Sequence, residues 1–330
     1  MRAAMRPLPL LALAATLAAA LSASPALAEA PKVVASIKPV HSLVAAVMEG
    51  VAEPTLIVRG AASPHTYAMK PSDAKALAAA DLVFWIGPEL EGFLDKPVTA
   101  TAKKATSVTL LEAPGVTLLD AREGGAWEAH DHGHEHKHDH GHDHKHDDKH
   151  DHEDEHGHDE VNTHIWLSPA NARAMVAAIA EALAAKDPAN AAAYTANAER
   201  TTRSIDALDA ELKATLAPVA GKPFVVFHDA YQYFEAQYGL NGVGAITVNP
   251  ERRPSAKRLS EIRAKIGGLG AACVFAEPQF EPALVNTIVE GTPAKKGVLD
   301  PEGADLKDGP GLYPALMRNI AASLKDCLGS

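Results

Sequence analysis

Residues 189–216 read ANAAAYTANAERTTRSIDALDAELKATL, 28 residues with neither glycine nor proline. Tyr194, Ile205, Leu208, Leu212 and Leu216 recur at three- and four-residue spacings or their multiples, which lays an apolar stripe along one helical face. At 1.5 Å per residue such a helix is about 40 Å long, enough to cross one lobe of a protein and lead into the next. Asp187-Pro188 separates it from an earlier helical stretch, ANARAMVAAIAEALAAK (170–186). The fold then depends on what lies to either side.

Both sides alternate short apolar runs with helical patterns. Before the long helix, VVASI (33–37), TLIVR (55–59), DLVFWIG (81–87) and TSVTLL (106–111) read as strands. Helical segments HSLVAAVMEG, PSDAKALAAA and ELEGFLDKPVTATAKKA lie between them. After it, FVVFH (224–228), GVGAIT (242–247), ACVFAE (272–277) and GVLD (297–300) are the strands. The intervening helices are DAYQYFEAQYG, PSAKRLSEIRAKIGG (stopped by its glycines) and PALVNTIVEG, and YPALMRNIAASLKDCL is the last. The expectation is an α/β protein of two lobes, each a mainly parallel sheet flanked by helices, joined by one long helix. The first lobe covers 29–168, the helical connection 169–217 and the second lobe 218–330.

Residues 1–28 have the form of a cleaved signal peptide: Arg2 and Arg6, an Ala/Leu-rich stretch, and Ala26-Leu27-Ala28 before Glu29. Prolines and serines interrupt the ~20 apolar residues a membrane span needs. No cysteine lies near the cleavage point to carry a lipid, and no later segment is apolar enough to span a bilayer. The mature chain is therefore expected to be exported and soluble. Its two cysteines, Cys273 and Cys327, suit a disulfide in an exported protein, with a pair of free buried thiols as the alternative.

Residues 130–160, HDHGHEHKHDHGHDHKHDDKHDHEDEHGHDE, hold 13 of the chain's 17 histidines. These are His130, His132, His134, His136, His138, His140, His142, His144, His146, His150, His152, His156 and His158. The run carries a net charge of −9 out of −13 for the chain without its first 28 residues, so the acidity is local and no nucleic-acid surface is indicated. A segment without apolar residues cannot bury enough surface to order itself, and a disordered loop is expected over about 120–162. Sites in such a loop lose chain entropy on each binding event, so they are weaker and less selective than a preformed cleft. The run is read as an accessory that collects or buffers metal. The alternative is a solvated loop with no essential part.

Four histidines remain. His65 follows the strand TLIVR, His228 ends FVVFH, His164 stands where order resumes after the run, and His41 follows the first strand. Ligands of open α/β sheets bind beyond the carboxyl ends of strands, so these are candidate inward-facing metal ligands. Asp300, closing GVLD before Pro301-Glu302-Gly303, is the best-placed carboxylate to complete a tetrahedral zinc set. Glu277, at the end of a strand, is a candidate outer acceptor for a ligand histidine, with a plain turn carboxylate as the alternative. His41 is read as packing near the cleft, with a second-shell or extra-ligand role as the alternative. Trp85 and Trp166 are read as wall and core of the first lobe.

The stretches GAASPHTYAMKPSDAKAL, DLVFWIGPELEGFL, NTHIWLSPANA, FVVFHDAYQYFEAQYGL, FAEPQF and GVLDPEG resemble the ZnuA-like family, the periplasmic zinc-binding components of bacterial high-affinity zinc ABC importers. The resemblance spans nearly the whole mature chain, and an acidic His-rich insert is itself typical of the group. It implies a rigid bridging helix with the metal in the cleft between the lobes. It also implies His65, His164 and His228 as ligands in that order, and a second-lobe disulfide that matches the cysteine pair. Some zinc-binding members carry a glutamate directly before the first ligand; here that residue is Pro64, so the fourth ligand lies between Asp300 and water. A histidine at position 228, where manganese-binding relatives have a carboxylate, favours zinc over manganese.

The expected function is capture of Zn²⁺ in the periplasm and delivery, by a monomer, to a membrane permease driven by a cytoplasmic ATPase. A rigid connection predicts release through local loop movement and not a wide hinge. Neither GxxxxGK[ST] nor HExxH is present, and no enzymatic activity is expected. The alternatives are a periplasmic zinc store or metallochaperone, a manganese-importer component, and a zinc hydrolase, which shares the pattern of three ligands and an open position.

Overall fold

The computed structural model describes residues 29–101, 104–122, 127, 161–247, 250, 255–281 and 283–329. The expected signal peptide and all thirteen histidines of the run lie outside the described residues.

The first sheet comprises β1 (Val33–Ala35), β2 (Thr55–Leu56), β3 (Leu82–Trp85) and β4 (Thr106–Thr109), all parallel, in the order β2-β1-β3-β4. Every residue of β1 and β3 is buried, as strands covered by helices on both faces require. The flanking helices are α1 (Lys38–Val47), α2 (Pro71–Ala79), α3 (Gly92–Thr101) and α4 (Pro169–Lys186). Ser168 caps α4 by accepting the Asn171 N–H, and Pro169 fills the first position, where no donor is needed. Because α4 packs on α1 and β3, it is a layer of the first lobe as well as part of the expected connection.

The glycine-free stretch is α5 (Ala191–Leu216), 26 residues with short 3₁₀ turns at both ends. Its buried face comprises Tyr194, Ile205, Leu208, Leu212 and Leu216, as the spacing predicted, together with Asn197. The Asn197 amide donates to the carbonyls of Val47 and Glu49, closing the carboxyl end of α1.

The second sheet repeats the first: β5 (Pro223–Val226), β6 (Asn241–Ala245), β7 (Cys273–Ala276) and β8 (Lys295–Val298), parallel, in the order β6-β5-β7-β8. Around it lie α6 (Gln232–Tyr238), α7 (Ala256–Leu269), α8 (Ala283–Val289) and α9 (Leu312–Leu328). Several boundaries differ from the sequence reading, two of them instructively. Helix α7 runs through Gly267 and Gly268 and ends only at Gly270, whose φ of +63° is the left-handed stop. Strand β8 begins at Lys295 and ends before Asp300. It is an edge strand, and its exposed lysines disguise its first half while discouraging further pairing. The cysteines form a disulfide, Cys273–Cys327, that ties β7 to α9.

One apolar core runs without a break through both lobes, from Val33, Phe84 and Trp166 through the buried face of α5 to Phe224, Phe275 and Leu328. A smaller cluster, including Val225, Ile262, Val274 and Ile288, covers the far face of the second sheet. Polar bonds reinforce the junction. Trp166, expected in the first lobe alone, donates its Nε1–H to the Pro301 carbonyl at 2.8 Å, and the Tyr313 hydroxyl returns to the Trp166 carbonyl at 3.0 Å. Lys38 donates to the carbonyls of Ala304 and Leu306 and pairs with Asp308.

Candidate metal centre

In a doubly wound sheet the crevice opens where strand order reverses. In the second lobe that point lies between β5 and β7. His228 follows the end of β5 and Glu277 follows the end of β7, so parallel pairing sets them side by side. The Glu277 carboxylate accepts from His228 Nδ1 at 2.6 Å and from the His228 backbone N–H at 3.3 Å. Phe280 stacks on Phe227 and presents its ring to the His228 edge, walling the imidazole in.

His65 enters from the first lobe on a 3₁₀ turn, Pro64–Thr66, and His164 stands directly before another, Ile165–Leu167. The His164 ring lies beside Trp166. Its Nδ1 is 2.9 Å from Asn162 Oδ1, which also accepts the His164 backbone N–H at 3.1 Å. The Asn162 NH₂ donates to the Asp229 carbonyl at 2.8 Å, which fixes the amide orientation and leaves its oxygen to accept. Sequence reasoning missed Asn162. Its signal was a short polar side chain two residues before a candidate ligand.

These contacts decide the tautomers. Glu277 and Asn162 each accept an Nδ1–H, so in the neutral rings Nε2 of His228 and of His164 carries a lone pair. The two Nε2 atoms are 3.1 Å apart, and His65 Nε2 is 3.4 Å from that of His164. Lone pairs facing each other at that distance repel unless a cation sits between them. Tetrahedral zinc with bonds of about 2.05 Å has ligand atoms roughly 3.3–3.4 Å apart, close to the 3.1 and 3.4 Å of these two pairs. Among the described residues, His65, His164 and His228 form the one group whose candidate ligand atoms all lie within 4.8 Å of one another.

Burial, with the neighbouring His228, pushes His65 down to about 3, and burial with both neighbouring imidazoles pushes His164 well below its ordinary value. Both rings are therefore neutral near pH 7 and ready to ligate. Glu302, Asp300, Glu91 and Glu277 form a mutually interacting group of carboxylates, and Glu277 is the one that touches a site histidine. Burial first, then Asp300 and Glu91, raises Glu302 well above the usual carboxylate range, with Lys38 partly offsetting. Glu91 stands at the equivalent switch point of the first lobe, where it accepts from Ser36, Ile86 and Gly87; burial pushes it up to about 7.

The remaining candidates fall elsewhere. Asp300 lies outside the three-histidine group. It sits beyond the end of β8, and its carboxylate accepts from Gln279 and from the backbone N–H groups of Glu302, Gly303 and Ala304, so in this geometry it holds a turn. His41 is buried in α1, with Nε2 at 3.1 Å from the Pro54 carbonyl, apart from the group.

The chain matches the family described as "ZnuA: Zinc-uptake complex component A periplasmic" over residues 33–327. It is 51% identical over 304 residues to the high-affinity zinc uptake system protein ZnuA of Brucella abortus (strain 2308), covering 90% of this chain and 91% of the relative. Against the protein of the same name from Paracoccus denitrificans (strain Pd 1222) it is 46% identical over 317 residues, with 95% and 97% covered. A solved structure described as "Crystal structure of ZnuA" superposes with a TM-score of 0.69 at 25% identity, covering 89% of this chain and 99% of that one. The periplasmic zinc binding protein TroA of Treponema pallidum shares the fold, with a TM-score of 0.73 at 20% identity over 91% and 99% of the two chains. By sequence along nearly its whole length, and with a three-imidazole cluster in keeping, this chain belongs to the ZnuA family.

Proposed function

We propose that the protein captures Zn²⁺ in the periplasm and delivers it to the permease of an ATP-driven uptake system, with His65, His164 and His228 as the ligands. The observation that carries this reading is the meeting of Nε2 lone pairs from three segments, two of them locked in place by Glu277 and Asn162. Three imidazoles without a thiolate suit zinc. They also suit Cu²⁺ and Ni²⁺, so metal supply contributes to selectivity. A manganese role is disfavoured because hard carboxylate ligands are missing from the group. The fourth position falls to Asp300 only if that carboxylate gives up its turn, and to water otherwise; Asp300→Asn separates the two by whether zinc affinity falls.

The zinc is cargo and stays exchangeable. Glu277 and Asn162 hold the ring orientations, and the Glu277 carboxylate behind His228 favours a dication without ligating it. Residues 130–160 act as an accessory that collects or buffers zinc, and the protein works as an exported monomer. Transport is preferred to hydrolysis because, among the described residues, no carboxylate joins the three-histidine group.

The test is zinc stoichiometry and affinity by competition with a calibrated chelator. The proteins are residues 29–330, the same chain lacking 130–160, and that deletion with His65, His164 and His228 changed to Ala. One tight site that survives the deletion and disappears with the triple substitution supports the cleft. Tight binding that vanishes with residues 130–160 makes the protein a histidine-rich metal store instead.

A further inference from the structure

The two ends of the insert between the first lobe and His164 meet as a short stub. Asp120 and Val161 form an antiparallel bridge, and the Asn162 N–H donates to the Leu119 carbonyl at 2.9 Å. The stub docks across the cleft on α6 of the second lobe. Leu119 N–H donates to the Tyr233 hydroxyl, that hydroxyl donates to the Asn162 carbonyl, and the Gln232 amide donates to the Asp120 carbonyl.

Arg122 locks this junction. Its Nε lies 2.9 Å from Asp229 Oδ2 and its Nη1 lies 2.6 Å from Glu235 Oε2, while Nη2 bonds to both carboxylates. The guanidinium carbon sits 3.6 Å from the centroid of the Trp127 ring, which covers one face. Both carboxylates are buried, at 9% and 6% side-chain exposure. Glu235 cannot back away, because its oxygens already stand against Gly242, where even a Cβ would approach them to 2.5 Å. Removing Arg122 leaves two buried negative side chains facing each other.

Asp229 directly follows His228. Arg122 holds its carboxylate and Asn162 holds its carbonyl, and Asn162 is the group that orients His164. A first-lobe side chain thus fixes, through one residue, the backbone beneath one imidazole and the acceptor behind another.

We propose that Arg122 is a positioning residue for the metal centre, a cross-cleft clasp that holds His228 and His164 in register without touching the metal. The proposal rests on the three-histidine reading of the site. Its test measures zinc release into excess chelator by stopped flow, and the visible absorption of the Co²⁺-substituted protein, for Arg122→Ala, Arg122→Lys and Glu235→Gln. Release is expected to quicken about tenfold or more in Arg122→Ala and less in Arg122→Lys, which keeps the charge but loses the planar fork. The Co²⁺ bands should shift in the same order. Should Arg122→Ala fail to fold, Arg122→Lys and Glu235→Gln carry the same readouts. Wild-type release rates and Co²⁺ spectra in the folded variants, whatever their melting temperatures, overturn the proposal and reduce Arg122 to a structural ion pair. If the ligand assignment itself fails, the triple-alanine protein keeps its tight site, a result these variants cannot mimic.

Discussion

Replacing Glu277 by glutamine tests how far the metal site depends on a residue that never touches the metal. The carboxylate is 2.6 Å from His228 Nδ1 and its side chain is fully buried. A zinc ion on Nε2 lies on the order of 6–7 Å away, counting a bond of about 2 Å beyond the ring. At an effective dielectric constant of about 20, a dication and a carboxylate at that distance attract by roughly 5 kcal/mol, a ceiling on the effect. Glutamine keeps an oxygen that can accept the Nδ1–H, so part of the orientation survives. Substitutions at such outer partners typically cost 10–100-fold in metal affinity, about 1.4–2.7 kcal/mol. That is the loss expected for Glu277→Gln in chelator competition. The metal-free protein should behave differently, because a buried charge that is costly to desolvate has been replaced by a neutral group of the same shape. Its denaturant midpoint should hold or rise. A zinc affinity within threefold of wild type, or a parallel fall in metal-free stability, refutes the reasoning.

Acid should unfold the metal-free protein through His65 and His164. Their depressed values mean that the folded state binds fewer protons than the unfolded state below about pH 6.5, so stability is full above that pH. It falls toward pH 4 by up to about 1.4 kcal/mol per pH unit for each of the two histidines, and urea midpoints from pH 7.5 to 4 check the slope. Changing Cys273 and Cys327 to serine opens a link between residues 54 apart and should cost about 4 kcal/mol on the chain-entropy estimate, with zinc affinity unchanged. Gly297→Ala places a Cβ 2.4 Å from the Phe275 ring and should destabilise the protein by about 1–3 kcal/mol, again without loss of the metal site. Equilibrium unfolding alongside chelator competition separates these last two effects.

Hydrophobic spacing is local, and what it governs was legible. The apolar stripe of α5 and the strand-helix alternation on either side appear where the pattern put them. Edges were less legible: the lysines of β8 pair in register with Cys273 and Val274, a context no window of sequence contains. The proposed ligands are a harder case, since His65 and His164 are 99 residues apart and His164 and His228 are 64 apart. Strand-end positions offered them as candidates beforehand, and the family resemblance singled out the three. Glu277 was suggested by its place at a strand end. Arg122 was invisible because its partners lie 107 and 113 residues away, and an arginine beside a charged low-complexity run reads as solvated surface. Asp300 shows the opposite hazard: a carboxylate well placed in sequence whose oxygens are engaged by its own turn.

The unbroken core beneath the cleft bears on how a receiving protein could tell a loaded copy from an empty one. Many binding proteins announce their cargo by changing outline, closing like jaws about a flexible waist. Two lobes that share one apolar interior, stitched by Lys38, Trp166 and Tyr313, have little outline to change. What does change is charge: a dication arrives among three imidazoles backed by the Glu277 carboxylate, and the local field becomes more positive. On this scaffold, occupancy is an electrical message more than a mechanical one.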